Sequence, residues 1–214
     1  MHKNFLHKPF KYAYYNAALI IIGLNVAVFL LLKIKPNLMS YLALNTWNVT
    51  RSHMYWQFFT YMFVHDLSSF QHILFNMLGL LFFGLPLEKA IGSKEFILLY
   101  LLSGLFCGIA SFLIYLATGM YYVFLYGASG ALYAVLLAYA VVYPRAKIFI
   151  WGILPIPAPI LIAIYAGIEI ASQIFSLQSG TAHMTHLAGF AFAWLYFVVR
   201  MGINPIKVWK NAYR

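Results

Sequence analysis

Basic charge in this chain sits at the ends of long apolar runs, and that pattern leaves few folds open. Only 8% of residues are charged and 64% are hydrophobic, with a mean hydropathy of +0.83, whereas a soluble domain carries about 25% charged residues. The apolar segments extend over all 214 residues, so the expected fold is an all-α polytopic membrane protein, a single six-helix bundle over 1–214. Helices are expected because backbone groups in lipid must be satisfied internally, and no ten-residue alternation marks a barrel. Spans are expected at about 14–32, 70–87, 96–117, 129–143, 160–177 and 183–199. The connection at about 33–69 mixes Asn45, Asn48, Arg51 and Ser52 with Trp47, Tyr55, Trp56, Phe58, Phe59, Tyr61 and Phe63. That mixture suits an element lying in the membrane interface. The first dozen residues are basic but are followed by no short apolar stretch with a cleavage site, so the first helix is expected to be retained.

The net charge of +10 is topological information and does not point to nucleic acid. Eleven of the fourteen Lys and Arg residues flank the side that six spans would assign to both termini. The positive-inside rule therefore places both termini in the cytoplasm. The lone Cys107 permits no disulfide framework and reads as a small packing residue.

One run departs from the others. From Ser129 to Tyr143 it is only about 15 residues long, short of the about 20 a hydrocarbon core requires. Its head, Tyr126-Gly127-Ala128-Ser129-Gly130-Ala131-Leu132-Tyr133-Ala134, holds one hydroxyl among small residues. Taken alone, this is equally a serine bonding back to its own helix or a small-residue packing seam.

Depth separates those readings. Ser129 lies 16 positions before Arg145, His186 14 before Arg200, His72 16 before Glu88, and Asn76 12 before Glu88. Four polar side chains from three helices thus share a level in the outer half of the bilayer. His72 and Asn76, four apart, share a helix face. Polar groups in lipid face a bundle interior or a wet cavity. The chemistry they permit is acyl transfer: Ser129 as nucleophile and His186 as base. His72, Asn76 and the Ser129 backbone N–H would hold the oxyanion. The acidic residues are Asp66, Glu88, Glu95 and Glu169. None is placed beside His186 by the sequence, so a Ser–His dyad is expected. His186 is preferred over His183, which is three residues nearer the outer surface and reads as an interfacial residue with a wet ring. Gly130, Ala134 and Ala138 on helix four and Gly189 and Ala193 on helix six form small-residue seams. Their docking would bring Ser129 and His186 together, with Tyr133 packed on the imidazole to orient it.

Tyr126-Gly-Ala-Ser129-Gly-Ala-Leu-Tyr133-Ala, His72-Ile-Leu-Phe-Asn76 and His186-Leu-Ala-Gly189-Phe-Ala-Phe-Ala193 resemble the signature elements of the rhomboid family of intramembrane serine proteases. The resemblance covers about 14–200 and implies a six-helix fold and hydrolysis of a peptide bond in or near a substrate's transmembrane segment. It assigns Ser129 as nucleophile, His186 as base, and His72 and Asn76 to the oxyanion site; Gly127, Gly130, Gly189 and Tyr133 fall in its motifs as supporting residues. Glu88, Gly92 and Ser93 resemble the family's turn after helix two. Trp56-Gln57 matches a Trp-Arg pair with Gln for Arg, and Ala193 replaces a frequent Gly. Transmembrane substrates and membrane lipid are the implied partners, with no cofactor, metal or nucleic acid, in a bacterial cytoplasmic membrane.

Two other readings differ in what they need. A catalytically inactive rhomboid-like protein that binds transmembrane helices has no use for Ser129 together with His186. A transporter or channel relaying protons calls for more than one acidic residue at membrane depth, where only Glu169 lies. The His-Glu-x-x-His pattern of zinc proteases is absent.

Overall fold

The computed structural model describes residues 10–150, 152–175 and 181–214. Among the described residues, four helices are long and apolar enough to cross a membrane: α1 (Ala17–Ile34), α2 (Phe70–Ile91), α3 (Ser93–Thr118) and, after a shorter α4, α5 (Ala158–Phe175). The apolar α4 (Ser129–Val142) and α6 (Thr181–Val199) are shorter and pack with them. A terminal α7 (Pro205–Ala212) occupies what reads in the sequence as a basic tail; its Trp209 Nε1 donates to the Ala140 carbonyl at 2.9 Å. The last residues expected in the fifth span, 176 and 177, lie outside the described residues.

Helix α4 is the axis of the molecule. Ala134, Val135, Ala138 and Ala140 are fully buried along it, because α3, α5 and α6 all pack on it. Small residues make the closest of these approaches possible. A Cβ placed on Gly189 of α6 would lie 2.2 Å from the Gly130 carbonyl oxygen, so only glycine permits this crossing. A Cβ on Gly130 would in turn crowd the Cys107 sulfur at 3.0 Å, which gives Cys107 the packing role expected of it.

The boundaries shift for identifiable reasons. Helix α1 starts at Ala17 because the buried Glu88 carboxylate accepts the Ala17 and Ala18 N–H groups at 2.7 and 2.9 Å. An anion there satisfies donors that a helix start leaves free. Glu88 therefore sits inside the last turn of α2, and the break comes at Gly92, whose φ of +83° suits glycine. The Pro-rich connection after α4 forms an antiparallel hairpin, β3 (Lys147–Ile150) with β4 (Leu154–Pro157). Earlier in the chain, β1 (Leu44–Asn45) pairs with β2 (Phe124–Leu125), tying the first loop to the segment that delivers Ser129.

The loop at about 33–69 is built into the protein core. Trp47, Tyr55, Trp56 and Phe59 are exposed, but Leu44, Val49, Tyr61, Met62 and Val64 are buried. Tyr61 donates to the Gly104 carbonyl at 2.7 Å, and Gly104 and Gly108 leave the room that Met62 and Tyr61 fill. Gln57, standing where the family pattern has Arg, is fully buried. It accepts from the Asn45 N–H at 3.1 Å and donates to the Ser40 carbonyl at 2.9 Å, so a neutral amide holds this loop together.

Candidate active site

Ser129 opens α4. Upstream, Gly127 takes φ +123°, a conformation nearly restricted to glycine, and turns the chain into the helix. The first backbone N–H groups of a helix have no intrahelical acceptor, and that of Ser129 is among them. His186 and His183 lie three apart on α6, on one face. His186 Nε2 is 2.7 Å from Ser129 Oγ. Tyr133, one turn along α4, stacks on the imidazole with centroids 4.1 Å apart and planes 10° from parallel. The two seams, the choice of His186 over His183 as the serine's neighbour, and the Tyr133 contact are therefore arranged as expected.

The dyad needs correction. Glu169 of α5 places Oε1 2.9 Å from His186 Nδ1, so the chain Ser129–His186–Glu169 has three members. An ionised carboxylate only accepts. The His186 proton then sits on Nδ1, leaving Nε2 with the lone pair that faces Ser129. Glu169 also accepts from the Tyr133 hydroxyl and lies 2.5 Å from His183 Nδ1 through Oε2. The wet-ring expectation for His183 is thereby overturned: it is 8% exposed and Glu169 is 5% exposed. Sequence reasoning missed Glu169, although a lone carboxylate within an apolar span is itself a site signal.

On the other side, the Asp66 N–H donates to His72 Nδ1 at 3.3 Å. That leaves the His72 proton on Nε2, the edge lying over Gly127, where an added Cβ would sit 3.0 Å away. Asn76 is arranged differently from the expectation. Its amide donates to the His72 carbonyl of its own helix at 2.8 Å, and it is absent from the cavity wall. The cavity, about 540 Å³, is lined by Asp66, His72, Gly127, Ser129, Glu169, Ser172, His183 and His186, together with Phe124, Leu125 and Tyr126.

Two groups beside the cavity lie outside the spans. Hydrogen bonds from Ser68 hold the Asp66 carboxyl below its usual range. His65 is fully buried, its ring 5.2 Å from that of His72. Burial, aided by the neighbouring His72, lowers it from 6.5 to about 4. As for metals, Glu169, His183 and His186 offer three ligand atoms within 4.8 Å of one another.

The arrangement has the parts of an acyl-transfer centre: a hydroxyl, an imidazole aimed at it, a carboxylate behind the imidazole, and donors across the cavity. Residues 52–202 match the family model described as Rhomboid domain, a range that encloses all of these side chains. The chain is also similar to RHOMBOID-like protein 12, mitochondrial, of Arabidopsis thaliana: 31% identical over 145 residues, 58% of this chain and 41% of that protein. It thus spans about two fifths of the length of that curated relative.

Proposed function

Because the chain belongs to the rhomboid family, we propose that this integral membrane protein is an intramembrane serine endopeptidase. Its substrates would be membrane proteins, cut in or near a transmembrane segment. The observation that carries the reading is the Ser129 Oγ to His186 Nε2 approach at 2.7 Å, with Glu169 on the far nitrogen. An inactive helix-binding relative has no need of that alignment.

In the proposed reaction Ser129 Oγ bonds the scissile carbonyl carbon as its proton passes to His186 Nε2. Glu169 stabilises the imidazolium that results and keeps the ring in register. The oxyanion faces the Ser129 N–H and His72 Nε2–H. Collapse breaks the C–N bond, and the proton on His186 goes to the departing amine. Water entering through the cavity repeats the sequence on the acyl-enzyme and releases the acid. The segment attacked must be extended, so small or helix-breaking residues near the cut are expected. Both shorter helices, α4 and α6, are taken as spans, which puts both termini on the basic, cytoplasmic side of a bacterial membrane and the cavity towards the outside.

The test is cleavage of a labelled transmembrane substrate by the detergent-purified chain beside Ser129→Ala and His186→Ala, together with fluorophosphonate labelling. Loss of about 10³-fold or more is expected for either variant, and labelling only where Ser129 is present. Equal cleavage by wild type and Ser129→Ala overturns the reading.

A further inference from the structure

Glu169 is buried beneath two imidazoles that both aim Nδ1 at it. One of these imidazoles is not needed to orient the base. His183 does not touch Ser129; its described polar contact is Glu169 Oε2. Two imidazoles three residues apart on one helix, with a carboxylate facing them from the next, form a donor set that zinc accepts in three-ligand sites with an open fourth position. The ligand atoms already lie within 4.8 Å of one another. A tetrahedral ion with bonds of 2.0–2.1 Å sets them about 3.3 Å apart, an adjustment of side-chain size. All three residues line the cavity, so an ion has a route in, and the Tyr133 hydroxyl on the carboxylate is placed as the outer hydrogen bond that fixes a ligand.

The geometry points to a divalent-cation site at Glu169, His183 and His186, suited to zinc, whose occupation takes the base away from Ser129. The silencing step rests on the proteolytic reading above, whereas the binding does not. An ion on His186 Nδ1 takes the lone pair at that nitrogen, and the ring proton relocates to Nε2. Nε2–H then donates to Ser129 Oγ and has no lone pair to accept its proton. No net proton is gained or lost by the ring, and the serine stays a neutral alcohol. The cation is thus a reversible inhibitor seated within the orienting pair.

Binding is read in the full-length Ser129→Ala protein, stripped with chelator and titrated with cobalt(II). The expected result is one cobalt per chain, with the visible bands of a four-coordinate ion, displaced by zinc. His183→Gln and Glu169→Gln should each weaken binding at least about tenfold, the low end of what losing even an outer partner costs. His53→Gln, outside the cavity wall and paired with Tyr55, is the control and should bind as the parent does. Circular dichroism verifies that each variant is folded. Absence of the bands in folded parent, or their survival in both His183→Gln and Glu169→Gln, overturns the site. In the Ser129 protein, zinc should suppress fluorophosphonate labelling, and chelator should restore it. Cobalt binding with labelling undiminished by zinc overturns the silencing. Failure to label even without zinc is a failure of the hydrolase reading, and the cobalt titration still decides the site.

Discussion

Glu88 and Glu169 are the same side chain in nearly the same degree of burial, each surrounded by donors, yet they sit in different chemistry. Glu88 accepts from the Ala17 and Ala18 N–H groups and the Ser93 hydroxyl. Its two backbone partners are fixed, and none of the three carries a proton that moves near neutral pH. Glu169 accepts from Tyr133 and faces two imidazoles, in the wall of a cavity that reaches Ser129. Hydrogen-bond satisfaction therefore does not separate structure from function here. The identity of the donors and their access to water do.

The sharpest way to break that contrast is to neutralise each carboxylate without changing its shape. Glu169→Gln should lower kcat by about 10²–10⁴-fold, since an amide can donate to His186 and favour the wrong tautomer. KM should move little, and Glu169→Asp should recover part of the rate, which a purely structural role does not predict. A wild-type kcat in folded Glu169→Gln would return the site to a dyad.

His65 sharpens the contrast from another side, being fully buried with its ring beside that of His72. Its pKa falls from 6.5 to about 4 in the fold, so between those values the unfolded chain binds the extra proton. Stability is then complete above about pH 6.5 and declines as pH falls towards 4, by about 3 kcal/mol in all. Thermal unfolding between pH 4 and 7 should show this slope in wild type and a flatter one in His65→Leu. Equal slopes would mean that His65 is not neutral in the native state.

Glu88→Gln should do the reverse of Glu169→Gln. Weakening a charge-assisted cap on α1 is expected to cost about 2 kcal/mol of stability, seen as a lower unfolding midpoint, with kcat unchanged in the folded fraction. A fall in kcat at unchanged stability would give the Glu88 turn a catalytic connection that its partners, Ala17, Ala18 and Ser93, do not supply.

Much of this arrangement was legible in residues. Ser129, Tyr133 and His186 were within reach because glycine and alanine seams dictate which faces of α4 and α6 meet, and depth follows from counting along a helix. Glu169 was not, for a specific reason. Depth along a helix counts from the charged residues at its end, and on α5 the β3–β4 hairpin, Lys147 to Pro157, stands between Arg145 and the helix. Counted from the C-terminal end of α5 at Phe175, Glu169 is six residues in and faces the first turns of α6. The burial of Tyr61 and Met62 was hidden differently. Their partners are bare backbone at Gly104 and Gly108, which no composition of the loop itself reveals.

The smallest expected effect concerns Asn76, grouped with His72 by spacing but separated from it by geometry. His72 has its Nδ1 occupied by the Asp66 N–H and its Nε2 over Gly127, so its remaining donor faces the cavity. The Asn76 amide donates to a carbonyl of its own helix and is 4% exposed. Loss of an oxyanion donor in use lowers kcat by about 10²–10³-fold, and that is the range expected for His72→Ala. Asn76→Ala should lower kcat less than about tenfold, with a modest loss of stability from the missing bond to the helix backbone. The double variant should resemble His72→Ala. If Asn76→Ala alone falls into the His72 range, the amide must swing towards the oxyanion when substrate binds, and the resting hydrogen bond to the His72 carbonyl is one that catalysis breaks.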